Sequence, residues 1–301
     1  MIRDDFCAFI LTHGRPDRIY TYDTLKRHGY TGKIYIVIDD EDETESEYKK
    51  KFGGSVLQFC KREIAQQIDE GDNFNDRRAI IYARNACWDL AKRVGVKYFI
   101  QLDDDYTKFV HTMDSEGEYI AKFALRPSLK NLDVIFDALI EFFIKTSSMT
   151  VTMAQGGDFV VGKESSVARK KLARKAMNTF ICSTERRFNF IGRVNEDVNT
   201  YTLGGLRGEL FFTIARLRME QKPTQSNPGG MTELYIDSGT YIKSFYTVMF
   251  APSCCKVVRM VMATNYKGAT TKGATGRLHH RIYWENTVPK IVRENVKKYV
   301  K

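Results

Sequence analysis

The sequence predicts an α/β fold in which a mostly parallel sheet is flanked by helices. Two observations carry this prediction. Apolar runs lie within residues 5–11, 33–40 and 95–105, and such runs are typical of strands buried on both faces of a parallel sheet. Segments with a helical spacing of apolar residues separate these runs, so strands and helices alternate along the chain.

A helical spacing of apolar residues predicts the first helices. Apolar residues recur every three or four positions over 18–28 and over 77–94, and each pattern predicts an amphipathic helix. On the second helix Arg77 and Arg84 are seven residues apart, so we expect them on nearly one face. Between the two helices, the charge block over 41–51 indicates an exposed loop and helix.

The second half of the chain is less regular. Residues 132–144 have a wide apolar face and predict a helix, 149–155 and 159–162 resemble short strands, and 289–300 predicts a closing helix. Since no linker divides the chain, we expect a single domain over 1–301. Basic or turn-rich stretches predict mobile loops near 162–176, 222–232 and 265–277.

Charge is distributed unevenly along the chain. Residues 1–150 contain 22 Lys and Arg against 26 Asp and Glu, whereas the remainder contains 25 against 11. The net charge is therefore −4 in the first half and +14 in the second, which indicates that the second half faces a polyanion such as nucleic acid. A solvated basic surface is the alternative. The basic clusters are Lys163, Arg169, Lys170, Lys171, Arg174 and Lys175, and Lys267, Lys272, Arg277 and Arg281.

Membrane and secretory classes find no support in the sequence. The first apolar run, Phe6–Leu11, has six residues and is too short for the core of a signal peptide, and no other stretch approaches a membrane span. We therefore expect a cytoplasmic protein with no membrane partner. The six cysteines form no Cys-x-x-Cys pair, so we expect small buried side chains rather than zinc ligands.

Three consecutive carboxylates end the third apolar run, FIQLDDDY at 99–106. Asp103 and Asp105 share one side of an extended chain and Asp104 takes the other. Carboxylate oxygens suit hard cations such as Mg²⁺ or Mn²⁺, which keep positions open for water or phosphate. The cluster therefore predicts a metal site that can hold a nucleotide diphosphate, and a turn-forming acid cluster is the alternative.

Other polar residues follow the neighbouring strands. His13 comes after the first run, and Asp39 and Asp40 end the second. Ligands of such sheets bind beyond the carboxyl ends of the strands, so one crevice can collect these residues together with the Asp103–Asp105 cluster.

The order of these motifs resembles the GT-A type of glycosyltransferase. More narrowly, FILTHGRPDR, IVIDDEDE, RRAIIYARN and FIQLDDDY resemble the TET-associated glycosyltransferases of bacteriophages, which are thought to attach sugars to 5-hydroxymethylcytosine in DNA. The resemblance implies a GT-A fold with a donor half over 1–130 and a basic, acceptor-side half over 131–301. It also implies Mn²⁺ or Mg²⁺, a nucleotide-sugar such as UDP-glucose, and modified DNA as partners.

The resemblance also implies roles for single positions. Asp105 would bind the metal, Asp103 would share the metal or contact the donor's ribose, and the late metal-binding histidine matches His279 or His280. In Asn195-Glu196-Asp197, Asp197 is the candidate catalytic base with Glu196 beside it. The candidate donor-binding residues are Thr12, His13, Gly14, Arg15, Asp39, Asp40, Arg77, Arg84, Asp103 and Asp104. The glycine pair matches an acceptor-side loop, and with the basic residues the candidate acceptor or DNA contacts are Gly156, Gly157, Arg193, Arg169, Lys170, Lys171, Arg174 and Lys272.

Local interpretations of the same residues stay open. Arg77 and Arg84 can balance the carboxylates or grip a pyrophosphate. Glu196 and Asp197 can be acids in the first turn of a helix. In a strand, one of the adjacent histidines points inward and the other outward, and a surface pair is the alternative.

The predicted reaction is sugar transfer to DNA, with a divalent cation and arginines stabilising the departing diphosphate. If the transfer inverts the anomeric centre, a carboxylate takes the acceptor's proton; if it retains, that role disappears. The alternatives are a metal-dependent nucleotidyltransferase or nuclease on DNA, a GT-A glycosyltransferase with a non-DNA acceptor, and a DNA-binding module without catalysis.

Overall fold

The structure of the protein is a computed structural model, and it describes residues 3–72, 76–159, 162–165, 167–168, 174–222, 234, 239, 241–260 and 277–289. The strands in these ranges are β1 Phe6–Leu11, β2 Lys33–Asp39, β3 Val56–Phe59, β4 Tyr98–Asp103, β5 Tyr106–His111, β6 Ser148–Ala154, β7 Phe180–Ser183, β8 Leu210–Gln221, β9 Cys255–Met260 and β10 Arg277–Ile282. The α-helices are α1 Tyr20–Arg27, α2 Glu45–Phe52, α3 Lys61–Ala65, α4 Ile81–Arg93, α5 Leu132–Lys145, α6 Glu196–Leu206 and α7 Ile242–Phe250.

Eight strands form one sheet in the order β3-β2-β1-β4-β7-β6-β8-β5. The strands β3, β2, β1 and β4 pair in parallel, β7 is antiparallel to both of its neighbours, and β5 is antiparallel to β8. Since β6 and β8 are again parallel, six of the eight strands run in the same direction. The predicted α/β fold with a mostly parallel central sheet is confirmed.

Two apolar cores lie on the opposite faces of this sheet. Successive side chains of a strand point to opposite faces, and all six residues of β1 are buried. Phe9 and Leu11 belong to the core that contains α4, whereas Ala8 and Ile10 belong to the core that contains α5. Burial on both faces explains why β1, β2 and β4 are apolar runs rather than alternating patterns.

A smaller unit lies beside the main sheet. The strands β9 and β10 form an antiparallel pair, α7 packs against both strands, and α7 also contacts α6. Within the described ranges, no helix is both long and apolar enough to cross a membrane.

The helix predicted over 77–94 begins later than expected. It starts at Ile81, because Asp76 accepts the backbone N–H of Arg78 (3.0 Å) and forms a turn in front of it. Arg77 therefore precedes α4, and the prediction that Arg77 and Arg84 share one helix face is wrong.

Other predicted segments fall partly or wholly outside the described residues. Phe159, expected to begin a strand, instead ends a 3₁₀ turn over Gly156–Phe159. The closing helix expected over 289–300 and most of the loops expected near 222–232 and 265–277 lie outside the described part of the chain, and the loop near 162–176 is described only in part.

Candidate active site

Three parallel strands deliver polar residues to the same edge of the sheet. Thr12 and His13 follow β1, Asp39 ends β2 and Asp103 ends β4. Two contacts join these strand ends: Thr12 Oγ1 donates to Asp104 Oδ2 (2.7 Å), and His13 Nδ1 lies 2.8 Å from Asp39 Oδ2. We call this place the carboxylate crevice, defined by Asp39, Asp103, Asp104 and Asp105.

Asp39 is a buried carboxylate held by two basic groups. Lys61 Nζ lies 3.0 Å from Asp39 Oδ1, opposite the contact with His13. Burial favours a higher pKa for Asp39, but the hydrogen bond with His13 and the charge of Lys61 outweigh it, so this pKa lies below its ordinary value. The hydrogen bond with Asp39 raises the pKa of His13 in turn. The neighbouring Asp40 is exposed and accepts the backbone N–H of Lys61 (2.9 Å).

The loop after β1 is ordered by side chains near α2. Gly14 has a φ of +66°, a conformation that favours glycine, and its N–H donates to Asp42 Oδ2 (2.8 Å). The N–H of Arg15 donates to the hydroxyl of Tyr48 (2.8 Å), whose side chain is fully buried. The guanidinium of Arg15 lies 3.1 Å from Asp104 Oδ2. This loop is therefore held against the carboxylate crevice before any ligand binds.

The three consecutive acids differ in how they are neutralised. Asp104 is 3% exposed and takes its contacts from Thr12 and Arg15, and burial raises its pKa to about 6. Asp105 Oδ1 is buried and has no hydrogen-bond partner among the described residues. Burial, followed by the charges of Asp103 and Asp104, raises the pKa of Asp105 to about 7. Among the described residues, the crevice therefore contains a buried carboxylate oxygen that no hydrogen-bond donor reaches.

Arg84 connects β4 to the start of α6. Its side chain is buried, with Nη2 3.1 Å from Asp103 Oδ1 and Nε 2.9 Å from Glu196 Oε1. Burial opposes its charge, but the two carboxylates raise the pKa of Arg84 above its ordinary value. The next residue, Asn85, bonds to the N–H and the C=O of Phe190 (3.0 and 3.1 Å), so it orders the chain rather than facing the crevice.

The first turn of α6 brings two more acids towards the crevice. Asn195 precedes the helix with a φ of +63°, and Glu196 and Asp197 form its acidic first turn, as the local interpretation predicts. Asp197 Oδ1 accepts the backbone N–H of Val198 (2.7 Å). Burial and the charge of Glu196 raise the pKa of Asp197, and a raised pKa suits a carboxylate that has to accept a proton near neutral pH.

A metal ion fits part of the predicted ligand set. Asp103 is partly exposed and Asp105 has an unpartnered oxygen, so these two carboxylates can each offer a hard oxygen ligand. Mg²⁺ or Mn²⁺ bound by such a pair usually completes its coordination with water and phosphate oxygens. Within the described residues, no group of three or more His, Cys, Asp or Glu side chains is arranged around a metal position. The structure therefore does not gather His279 or His280 with Asp103 and Asp105 into such a group.

The two histidines lie on β10, where we expect one to point inward. His280 Nδ1 accepts from the side-chain amide of Asn195 (3.3 Å), and burial, followed by the charge of His279, lowers the pKa of His280 to about 3. His279 is partly exposed, and burial lowers its pKa as well. Both imidazoles are therefore neutral at pH 7 and keep the lone pair that a metal ligand needs.

Within the described part of the chain, the predicted acceptor residues do not meet at one place. Gly156 and Gly157 are exposed in the 3₁₀ turn after β6. Arg193 is buried and pairs with Asp72 (2.8 Å) and Asp76 (3.2 Å). Arg174 donates to the backbone oxygen of Trp284 (3.1 Å). The remaining members of this set, Arg169, Lys170, Lys171 and Lys272, lie outside the described residues. Arg77, predicted to bind the donor, pairs with Glu41 (2.5 Å).

Four residues that support the crevice were not found by sequence reasoning: Lys61, Tyr48, Asp42 and Thr21. Thr21 Oγ1 donates to the backbone oxygen of Asp103 (2.5 Å) and accepts the N–H of Tyr106 (2.9 Å). An aromatic residue inside the charge block over 41–51 was a usable signal for Tyr48. No pattern in the sequence pointed to Lys61, since the pairing of β3 with β2 brings it to Asp39.

No curated protein matches the chain in sequence. Similar solved structures include glucosyl-3-phosphoglycerate synthase from Mycobacterium tuberculosis in complex with Mg²⁺ and UDP, at 9% identity, covering 84% of this chain and 83% of that chain, with a TM-score of 0.45. The mannosyltransferase PcManGT from Pyrobaculum calidifontis, in complex with GDP-Man and Mn²⁺, is 9% identical, with 83% and 74% covered and a TM-score of 0.43. S. aureus TarS in complex with UDP is 10% identical, with 82% and 65% covered and a TM-score of 0.42.

The protein is a glycosyltransferase, because the model of a glycosyltransferase family matches most of the chain, including the mostly parallel sheet and the acids beyond its strand ends. More particularly, the chain belongs to the TET-associated glycosyltransferase family, because the model of that family matches residues 6–230. The matched region contains all eight strands of the main sheet and ends before α7, β9 and β10.

Proposed function

We propose that the protein transfers a sugar from a nucleotide-sugar, in the first instance a UDP-sugar, to the hydroxymethyl group of a modified cytosine in DNA. The observation that carries the donor half of this proposal is the unpartnered, buried oxygen of Asp105 beside Asp103. A carboxylate kept from water and from donors is costly unless a cation joins it. The +14 net charge of the second half supports a polyanionic acceptor.

Each step of the transfer has a candidate residue. The bond from the anomeric carbon to the diphosphate oxygen breaks, and a bond from that carbon to the acceptor's hydroxymethyl oxygen forms. Asp103 and Asp105 would hold a divalent cation, which when bound stabilises the charge of the leaving diphosphate. The ionised Asp39 accepts hydrogen bonds from the nucleoside, and Lys61 and His13 fix its orientation. In an inverting transfer, Asp197 takes the proton of the acceptor hydroxyl.

The test is a transfer assay with defined DNA. The protein is incubated with Mn²⁺, labelled UDP-glucose and two duplexes that differ only in cytosine or 5-hydroxymethylcytosine. We expect label on the hydroxymethylated duplex alone, and none after chelation of the metal. Strand cleavage or nucleotide addition instead of sugar transfer would contradict the proposal. If the chain is encoded by a bacteriophage, the reaction takes place in the cytoplasm of the host cell.

A second measurement tests whether Asp197 is the catalytic base. Asp197→Asn should abolish transfer while Mn²⁺-dependent UDP binding persists, since Asp197 does not contact the diphosphate in this scheme. The matched control is Asp17→Asn, an acid whose side chain is 89% exposed. Transfer by Asp197→Asn at the wild-type rate would remove Asp197 from the mechanism.

A further inference from the structure

Helix α7 presents an apolar stripe to solvent. Tyr241, at its N-terminal end, Phe245 and Met249 are 54%, 47% and 55% exposed. Their spacing of four residues places them on one face of the helix, while Ser244, Tyr246 and Thr247 are buried on the other. An exposed apolar patch with this regularity is typical of an interaction site.

The two strands packed against α7 carry an excess of positive charge. Over 255–260 and 277–282 they contain four basic residues, Lys256, Arg259, Arg277 and Arg281, and no acid. The strand register places Lys256 directly opposite Arg281, and both side chains are exposed. Like charges directly opposite each other destabilise a strand pair, and a bound anion relieves this repulsion.

This unit is joined to the first turn of α6. The side-chain amide of Asn195 donates to Thr247 Oγ1 of α7 (2.7 Å) and to His280 Nδ1 of β10 (3.3 Å). Asn195 directly precedes Glu196 and Asp197. The unit that carries the stripe is therefore anchored to the turn that holds the residues proposed to receive the acceptor.

We propose that α7, β9 and β10 form a nucleic-acid-binding surface, which we call the α7 surface. Lys256, Arg259 and Arg281 contact backbone phosphates, and Tyr241 and Phe245 contact bases. Basic residues beside exposed aromatic rings are the combination that binds unpaired or splayed nucleotides. The inference rests on the proposed function in one respect: it takes the bound nucleic acid to be the acceptor.

An anionic membrane is the other polyanion that a basic surface with an apolar stripe can bind. The stripe is too short to favour it, because α7 has nine residues and binding to a bilayer depends on the apolar area that is buried. Four basic residues also lie on the strand pair, whereas the helix itself contains one, Lys243.

The experiment measures binding of the full chain to fluorescent oligonucleotides without any modified base, over about 50 to 200 mM salt. Two double variants are compared with the wild type. Lys256→Ser with Arg281→Ser should lower the slope of log affinity against log salt by about 2, one for each phosphate contact. Tyr241→Ser with Phe245→Ser should weaken single-strand binding about 10-fold or more and leave the salt slope unchanged.

Matched controls remove the same chemistry elsewhere on the surface. Lys50→Ser with Lys92→Ser removes two exposed charges, and Leu125→Ser with Val134→Ser removes two apolar side chains that are 65% and 59% exposed. Both controls should bind nucleic acid as the wild type does. Melting temperatures of all variants establish that the chain is folded.

The outcomes separate this inference from the proposed function. Normal nucleic-acid binding by both α7-surface variants overturns the inference, even if the wild type transfers sugar to DNA. Binding that is lost in these variants supports it, even if the wild type transfers no sugar. Vesicles containing phosphatidylserine serve as the membrane probe; vesicle binding that depends on Tyr241 and Phe245, with nucleic-acid binding unaffected, would assign the surface to a membrane and overturn the inference.

Discussion

Replacing Asp105 by asparagine should stabilise the metal-free protein and weaken its binding of metal and nucleotide. The pKa of Asp105 is raised from its usual 3.8 to about 7, mainly by burial. At about 1.4 kcal/mol for each pKa unit, ionising this carboxyl in the folded chain costs about 4 kcal/mol above pH 7. Because the side chain keeps some contact with water, we expect asparagine to recover about 1 to 3 kcal/mol of this cost.

The sign of the pH dependence follows from proton linkage. An acid with a raised pKa binds more protons in the folded than in the unfolded chain between about pH 4 and 7, so its contribution to stability falls as the pH rises through this range. The advantage of Asp105→Asn should therefore be absent near pH 4 and complete near pH 8, where it corresponds to a melting temperature about 2 to 10 °C higher.

The assay is thermal unfolding in a chelator at several pH values, together with calorimetric titration of UDP in the presence of Mn²⁺. Asp17→Asn is the matched control and should change the stability by less than about 0.5 kcal/mol. A variant that is less stable at pH 8 and binds Mn²⁺ and UDP as the wild type does would refute the reasoning, since Asp105 would then be a structural residue.

Three further predictions follow from the same contacts. Arg84→Met leaves two acids without their shared cation and should cost about 3 to 5 kcal/mol of stability in calorimetry; adding Glu196→Gln should recover part of it, and full additivity of the two changes would argue against the pairing. Calorimetric affinity for UDP with Mn²⁺ should rise from about pH 5 to 8, because Asp105 must lose its proton before it binds a metal, and a flat profile would contradict this. Arg193→Gln should lower the melting temperature and leave DNA affinity unchanged, because this guanidinium is buried in acid pairs; a selective loss of DNA affinity would instead support its predicted acceptor role.

The parts of the fold that the sequence revealed are those set by local pattern and simple topology. The apolar runs that became β1, β2 and β4 could be recognised because strands buried on both faces carry almost no polar residues. The placement of Asp39 and the acids after β4 at one edge of the sheet followed from the parallel arrangement alone, because the carboxyl ends of parallel strands share one edge.

The parts that could not be foreseen depend on contacts between distant segments. Arg193 looked like an acceptor residue, but its charge is matched by acids about 120 positions earlier in the chain. Lys61 orders Asp39 only because β3 pairs with β2. The late start of α4 depends on a side-chain turn at Asp76, which competes with helix formation and leaves the apolar spacing unchanged.

The most direct measurement of the central claim is a crystal structure with UDP and Mn²⁺ in which the metal is located by its anomalous scattering. The account predicts one strong anomalous peak bonded to a carboxylate oxygen of Asp105 and to the diphosphate of UDP. UDP bound elsewhere, or an Asp105 that contacts only protein N–H groups with no metal beside it, would contradict the account.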